Sequence, residues 1–323
     1  EYWSVSETCD ASVGVSFSPD IVWLGAFRVL QGAGAAAGGV VAMAMVRDLF
    51  GGKPLVRMLS RLALVNGLAP ILAPVIGSQL LRFVDWQGLF VFLAVYGALV
   101  IVAVAVFLVE TLPRARRAEA GHTTVAERYR ALFTDRAYLG VALIGGMTFS
   151  GLFAYLSSSS FLFQQHFGLD AQQYGLLFAV NSIGVVVGVQ ISSRVMRRYG
   201  PQWILAFTTG VHVVAATAII VLAQTDAGLL GILIPLFFYI TACGFSFPAV
   251  QVLGLANHAK EAGTAASLLG ALNFGLAGVI SPIVGVLGIS TTAMASVMLG
   301  TALVATFSIW VVVRPWTVPE LSN

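Results

Sequence analysis

The sequence predicts an all-α polytopic membrane protein, and three observations support this fold class. Of its 323 residues, 58% are hydrophobic and 10% are charged, with a mean hydropathy of +0.91, whereas a soluble chain carries about 25% charged residues. Apolar stretches long enough to cross ~30 Å of hydrocarbon recur along the chain with short polar connections. These stretches lack the roughly ten-residue alternating pattern of barrel strands, which favours helices.

Nine complete membrane spans are predicted, three before a long charged connection and six after it. Residues 11–19 are also apolar, but they are too short to cross and are typical of the end of a helix whose start is absent. The predicted spans are 22–46, 59–82, 88–110, 138–163, 173–194, 201–223, 229–253, 263–287 and 290–312.

The distribution of basic residues predicts the orientation. If successive connections alternate sides, all of the 17 lysines and arginines except Arg28 and Arg82 lie on one side, which the positive-inside rule places in the cytoplasm. The linker 111–137 and the tail 314–323 are therefore predicted to be cytoplasmic. The basic pI of about 9.0 then reflects topology, so no nucleic-acid partner is predicted.

An internal repeat predicts two related halves. Residues 67–77 read "GLAPILAPVIG" and residues 275–285, 208 positions later, read "GLAGVISPIVG". This offset predicts two six-helix bundles, with the first two helices and part of the third preceding Glu1. Residues 1–110 are then the remainder of the N-terminal bundle, and residues 138–313 form the C-terminal six-helix bundle.

Three segments point to a known family. They are "RVLQGAGAAAGGVVAMAMVRDLF" from Arg28, "NGLAPILAPVIGSQLL" from Asn66, and "GTAASLLGALNFGLAGVISPIVG" from Gly263. They resemble, in order, the Arg-x-x-Gln-Gly helix, the antiporter motif and the penultimate helix of the Bcr/CflA-type drug/proton antiporters of the major facilitator superfamily. Ser78 departs from that pattern, since the family usually has a second glycine there. The resemblance implies a major facilitator fold of two pseudo-symmetric bundles.

The resemblance also implies a function. It implies proton-coupled efflux of amphiphilic drugs such as bicyclomycin- and chloramphenicol-type compounds, with the proton gradient as energy source and no cofactor. The predicted partners are a small-molecule substrate and the lipid bilayer, and the predicted state is a monomer. Two alternatives stay open: a facilitator or importer of another small solute on the same fold, and a truncated non-functional fragment. No catalytic motif or metal-ligand cluster is recognisable in the sequence, so no enzyme is predicted.

Arg28 is the candidate coupling residue. It lies about 8 Å below the predicted outer interface at ~1.5 Å per residue, and it shares one helix face with Gln31 and Gly32. The resemblance associates this arginine with proton coupling, since a cation favours the ionised form of a nearby acid. None of the 14 acidic residues is predicted mid-membrane, so that acid is expected in helices before Glu1. The alternative is that Arg28 extends to the outer headgroups.

Two further motifs have both functional and structural interpretations. The antiporter motif, which the family uses as a tight interface against leakage, is otherwise plain small-residue packing. The turn after the second C-terminal span resembles a degenerate copy of a superfamily loop motif. The alternative is that its arginines only set the orientation of the protein in the membrane. The antiporter-motif residues are Gly67, Pro70, Pro74 and Gly77, and the loop-motif residues are Arg194, Arg197, Arg198 and Gly200.

Polar and aromatic residues within the spans are candidates for a substrate cavity. Drug-type sites combine a few polar groups with aromatic walls. Interhelical hydrogen bonding is the alternative role of the polar members, and a lone histidine such as His212 is more often structural. The cavity candidates are Asn66, Phe153, Tyr155, Asn181, Phe238, Tyr239 and Asn273.

Overall fold

The structure is a computed structural model, and all of the regular structure that it describes is helical. The described residues are 12, 14–15, 18, 20–32, 73, 76–77, 79–107, 125–225, 227–256, 258 and 262–317. The chain divides into two compact units, residues Glu1–His122 and Thr123–Asn323. This boundary falls inside the predicted linker 111–137.

The N-terminal unit contributes two described helices, α1 (Ile21–Gly32) and α2 (Trp86–Phe107). The C-terminal unit begins with a short helix, α3 (Val125–Thr134), inside the predicted linker. Seven further helices follow it. They are α4 (Arg136–Phe161, continued by a π-helical turn Leu162–His166), α5 (Ala171–Tyr199), α6 (Pro201–Gln224), α7 (Gly228–Leu255), α8 (Ala262–Ile280), α9 (Ile283–Val286) and α10 (Thr291–Phe307, continued by a π-helical turn Ser308–Val313).

The predicted membrane fold is confirmed for the described part of the chain. Seven helical segments there are long and apolar enough to cross a membrane. One is α2, which matches the predicted span 88–110, and the other six match the predicted spans of the C-terminal bundle. Of the predicted spans 22–46 and 59–82, most residues lie outside the described part.

Short sequence signals explain where several helices begin. Asp135 Oδ1 accepts hydrogen bonds from the amides of Ala137 and Tyr138 at the start of α4. Asp170 and Gln173 form a reciprocal capping box at the start of α5, the arrangement that an N-cap acid and a glutamine three residues later favour. α5 ends at Gly200, whose positive φ of 78° suits glycine, and Pro201 starts α6 at a position that needs no amide proton.

Glycines allow a close helix crossing in the C-terminal unit, that of α5 with α7. A Cβ on Gly188 would lie 2.6 Å from the backbone oxygen of Thr241, and one on Gly244 would collide with the backbone of Val185. Both obstacles are backbone atoms, which cannot rotate away as a side chain can. Small residues at such crossings bring membrane helices into contact without a hydrophobic driving force between them.

The core of the C-terminal unit has two buried clusters. One contains Tyr155, Leu236 and Met294 and lies toward the end where α4 finishes. The other contains Tyr138 and Ile309 and lies toward the end where α4 begins. Interhelical hydrogen bonds tie the second cluster together, since Tyr138 donates to the Ala265 oxygen at 2.8 Å and Ser308 donates to the Gly140 oxygen at 2.9 Å.

The positive charges of the C-terminal unit gather where α4, α6 and α8 begin and α5, α7 and α10 finish, which we call the basic end. Contacts across it join these helix termini: His258 pairs with Asp135 at 2.9 Å, and the rings of Trp203 and Trp310 lie 6.5 Å apart. The arginines with described side chains at this end are Arg130, Arg136, Arg194, Arg197, Arg198 and Arg314.

Candidate functional site

Arg28 lies on α1 and contacts two side chains of the N-terminal unit. Its Nη1 donates a hydrogen bond of 2.9 Å to Oε1 of Gln31, and its Cζ lies 5.4 Å from the ring centroid of Phe90 on α2. The Gln31 amide in turn donates to Oγ of Ser12 at 2.7 Å. Arg28 and Gln31 therefore lie on one helix face, as their spacing predicts, and Gly32 ends the described part of this helix.

The partners of Arg28 are an amide oxygen and an aromatic face. The face of a phenyl ring is negative enough to attract a guanidinium, but neither partner neutralises its charge. Within the described residues no carboxylate forms an ion pair with Arg28. The described environment is thus that of a cation able to interact with an additional anionic group.

The structure describes the loop motif but only one residue of the antiporter motif. Asn66, Gly67, Pro70 and Pro74 lie outside the described residues, and of the antiporter motif only Gly77 is described. The loop motif forms the turn between α5 and α6, where the Gly200 amide donates to the Met196 oxygen at 2.9 Å. Arg198 lies over its neighbour Tyr199, with Cζ 5.3 Å from the ring centroid.

Four phenylalanines from three helices form an aromatic cluster in the C-terminal unit. Phe149 of α4 is its centre, with its ring centroid 5.0 Å from that of Phe247 on α7 and 5.3 Å from that of Phe274 on α8. Phe153, one turn further along α4, lies 6.0 Å from Phe274 in an edge-on arrangement. Of these four, the sequence indicated Phe153 alone. The spacing of Phe149 and Phe153 by four residues was the available signal.

Two residues that adjoin this aromatic cluster in the sequence carry buried polar atoms without a described partner. Asn273 precedes Phe274 and is 4% exposed, and Thr148 precedes Phe149. Asn273 Oδ1 and Thr148 Oγ1 are buried without a hydrogen-bond partner among the described residues. Thr241 Oγ1 on α7 is in the same condition. Because leaving such an atom unpaired costs about 1–3 kcal/mol, a polar ligand that reached one of these atoms would gain from the contact.

A cavity that is open to the surface and has both polar and apolar lining continues the same face of α4 beyond the aromatic cluster. It has a volume of about 350 Å³ and is lined by Ser157, Ser160, Phe161, Gln164, Gln165 and Ile289. Phe149, Phe153, Ser157, Ser160 and Gln164 are spaced four, four, three and four residues apart, which keeps them on one helix face. None of the cavity-lining residues is charged. Aromatic surface therefore gives way to neutral hydroxyl and amide groups along α4.

Three other predicted cavity residues are packed inside the bundle. Asn181 donates to the hydroxyl of Tyr155 at 3.1 Å, and both side chains are at least 95% buried. Tyr239 packs against the ring of His212 with the centroids 4.5 Å apart, and the His212 ring nitrogen lies 3.4 Å from the Cys243 sulfur. These observed contacts join helices to one another.

Phe238 lies apart from the aromatic cluster. Its side chain is 58% exposed, and its ring neighbour is Phe237, 6.0 Å away between centroids. Nine residues separate Phe238 from Phe247, which at about 100° per residue places them on opposite faces of α7.

Comparison with known proteins identifies the family. Residues 11–282 match the sequence model of the family described as "Major Facilitator Superfamily". The chain belongs to this superfamily. Its members are transporters, and this chain is accordingly a multi-pass membrane transporter. The family predicted from the sequence is confirmed.

Two bacterial relatives and one solved structure illustrate the superfamily membership. The chain is 30% identical to the uncharacterised MFS-type transporter YdgK of Bacillus subtilis, covering 92% of this chain and 75% of that protein. It is 26% identical to a bicyclomycin resistance protein homolog of Haemophilus influenzae, covering 83% and 67%. The crystal structure of a D-xylose–proton symporter superposes with a TM-score of 0.71 at 14% identity, over 99% of this chain and 81% of that one. That last likeness concerns the superfamily fold alone.

We predict different effects on stability when each of the buried residues Asn273 and Asn181 is replaced by leucine. Asn273→Leu removes an amide oxygen that has no described partner, so we expect an apparent melting temperature in detergent equal to or above that of the wild type. Asn181→Leu breaks the hydrogen bond to Tyr155 and is expected to lower the free energy of unfolding by about 1–3 kcal/mol. This loss would be measured as a lower melting temperature. Equal destabilisation by both substitutions would contradict the difference in their environments.

Proposed function

We propose that this superfamily member is a secondary active transporter that exports neutral, amphiphilic drugs of the bicyclomycin and chloramphenicol type in exchange for protons. The observation that carries this proposal is the α4 face, where the aromatic cluster is followed by an uncharged polar cavity. The name of the Haemophilus influenzae relative agrees with this class of substrate. The proposal assigns transport, and no catalytic reaction, to the chain.

The chemistry of this face favours an amphiphile. Ring centroids 5–6 Å apart offer stacking surface to an aromatic or apolar group, and each aromatic contact contributes about 0.5–1.5 kcal/mol beyond its buried area. Asn273 and Thr148, each adjacent in sequence to a phenylalanine of the cluster, carry buried polar atoms, and serine and glutamine side chains line the cavity. A site with apolar walls and a few oriented polar groups is the usual form of a small-molecule site.

Proton coupling is the second part of this function. Arginine cannot exchange a proton at physiological pH, so Arg28 acts through an acid that it holds ionised until substrate or a proton changes the balance. The environment of Arg28 supports this role because its guanidinium is held in place by Gln31 and Phe90 while its charge is left without a described anion. The energy source is then the proton gradient.

A second candidate is the facilitated uptake of a polar solute. The cavity lined by Ser157, Ser160, Gln164 and Gln165 offers hydroxyl and amide groups, which suit a ligand with several hydroxyls such as a sugar. This candidate differs from drug efflux in using the cavity without the aromatic cluster and in requiring no proton gradient.

Drug transport is tested in cells that express the natural gene. We expect expression to lower the accumulation of chloramphenicol and an uncoupler to abolish the effect. Phe274→Ala is expected to raise the drug concentration for half-maximal transport about two- to tenfold, because one aromatic contact worth 0.5–1.5 kcal/mol is lost. Phe238→Ala is the matched control, since the two side chains are 60% and 58% exposed.

Equal losses from both phenylalanine substitutions would contradict a substrate site at the aromatic cluster. Uptake of a sugar that is independent of the proton gradient would replace drug efflux by the second candidate.

Arg28 is tested in the same cells. Arg28→Ala is expected to abolish proton-driven efflux, whereas Arg28→Lys retains part of it, because a positive neighbour suffices to favour the ionised acid. Arg82→Ala serves as the control, since Arg82 lies outside the motif. Normal drug efflux by Arg28→Ala would refute the coupling role.

We also propose a bacterial plasma (inner) membrane location as a monomer, with the basic end in the cytoplasm. In a variant whose native Cys9 is replaced by serine, Ala171→Cys at the opposite end is expected to react with an impermeant thiol reagent in intact cells. Ala131→Cys at the basic end is expected to react only after the cells are permeabilised. The reverse labelling pattern would invert the proposed orientation.

A further inference from the structure

Two arginines of the basic end converge on one backbone oxygen. Arg136, the first residue of α4, donates from Nη2 to the Val311 oxygen at 2.8 Å. Arg314, which follows the π-helical turn after α10, donates from Nε to the same oxygen at 3.3 Å. Since both nitrogens lie within hydrogen-bond range of one atom, the two guanidinium groups are close neighbours.

The acid nearest in sequence is already occupied. One oxygen of Asp135 caps α4 by accepting from the Ala137 and Tyr138 amides, and the other lies 2.9 Å from Nε2 of His258. Among the described residues, no carboxylate pairs with Arg136 or Arg314. Two like charges therefore lie together on an exposed surface without a described anion, and most of their N–H donors have no described partner.

The turn that carries Arg314 has a defined local structure. Arg314 has a positive φ of 57°, its amide donates to the Ile309 oxygen at 2.9 Å, and the hydroxyl of Thr317 donates back to the Arg314 oxygen at 2.9 Å. Pro315 is buried. A left-handed conformation in a non-glycine residue is uncommon and is maintained only when its surroundings hold it, so this turn presents its cation in one place.

Three tryptophans form a row of neighbouring rings, and two of them, Trp310 and Trp316, flank Arg314 in the sequence. The ring of Trp310, adjacent to Val311, lies 6.5 Å from that of Trp203 at the start of α6 and 6.1 Å from that of Trp316 after the turn. All three side chains are between 40% and 61% exposed. Exposed tryptophans at the ends of membrane helices lie at the level of the lipid headgroups.

We propose that Arg136, Arg314 and this tryptophan row form a binding site for the headgroup phosphate of an anionic phospholipid. A phosphate placed between the two guanidinium groups neutralises their mutual repulsion and accepts hydrogen bonds from both. The indole rings contact the glycerol and upper acyl region of the same lipid. Basic pockets at helix ends that lie near the membrane surface are a recurrent form of such sites.

The tryptophan row favours a lipid over a free phosphate ion. A soluble anion would be held by the arginines alone and would gain nothing from three exposed indoles. A lipid uses both parts of the site, because its phosphate and its acyl chains are joined at the spacing that separates the headgroup level from the hydrocarbon. The site is independent of the transport function, and its test measures binding alone.

The test uses the full chain reconstituted in phosphatidylcholine vesicles. Trp3, Trp23 and Trp86 are replaced by phenylalanine, so that the fluorescence comes from the tryptophan row. Brominated acyl chains quench neighbouring indoles, and we expect a given fraction of brominated phosphatidylglycerol to quench more than the same fraction of brominated phosphatidylcholine. The relative binding constant is expected to fall about fivefold for each arginine replaced in Arg136→Gln and Arg314→Gln.

Three controls make the result specific. Arg198→Gln removes a cation of the same end that lies over Tyr199, and it is expected to leave the preference for phosphatidylglycerol unchanged. The double variant Arg136→Lys, Arg314→Lys is expected to keep part of the preference for phosphatidylglycerol, since both charges remain. Inorganic phosphate is expected to compete no better than sodium chloride of equal ionic strength.

Several outcomes would overturn the proposal. Equal quenching by the two brominated lipids in the protein that retains Arg136 and Arg314 would overturn it without relying on any arginine variant. An equal loss of preference in Arg198→Gln would assign the effect to diffuse charge. Specific competition by inorganic phosphate would assign the site to the free anion.

Discussion

Hydrocarbon offers no hydrogen-bond partner to a peptide group, and the C-terminal unit is built around that constraint. Helices satisfy their backbone internally, and side-chain hydroxyls within them bond mostly to their own helix, as Ser158 does to the Ala154 oxygen and Thr209 to the Leu205 oxygen. Against this background a buried polar atom without a partner is conspicuous. Asn273 Oδ1, Thr148 Oγ1 and Thr241 Oγ1 are such atoms, and the first two belong to residues that directly precede a phenylalanine of the aromatic cluster in the sequence.

The same constraint separates charge from the middle of the unit. The described arginines of this unit lie at the basic end, where their side chains are exposed, and the faces of α4 between the two ends carry aromatic, hydroxyl and amide groups. This arrangement suits a ligand that is itself neutral. The cation of the coupling motif, Arg28, belongs to the other unit, where Gln31 and Phe90 hold it. The proposed substrate site and the proposed coupling residue thus belong to different units.

The proposed lipid site gives the basic end a role beyond topology. Topogenic charge requires only that arginines be present on one side of the membrane, and Arg194 and Arg197 meet that requirement without a specific geometry. Arg136 and Arg314 differ because one carbonyl oxygen and a left-handed residue position them. A defined pair of cations beside three exposed indoles has the features of a lipid contact. Such a contact would connect the start of α4, which carries the aromatic cluster, to the membrane surface.

Composition, short-range spacing and local motifs were enough to predict the membrane class, the six spans of the C-terminal unit and the superfamily, whereas the short helix α3 inside the linker 111–137 was not predicted. The tertiary structure alone decided which side chains meet. It brought Phe149 to Phe247 and Phe274, placed Phe238 on the opposite face, and enclosed Tyr155 and Tyr239 in the bundle. In a membrane both the lipid-facing and the protein-facing sides of a helix are apolar, so hydrophobic periodicity does not indicate which side faces a neighbour. Only helix packing determines that direction, and pairs such as Asp135 with His258, 123 residues apart, arise from it.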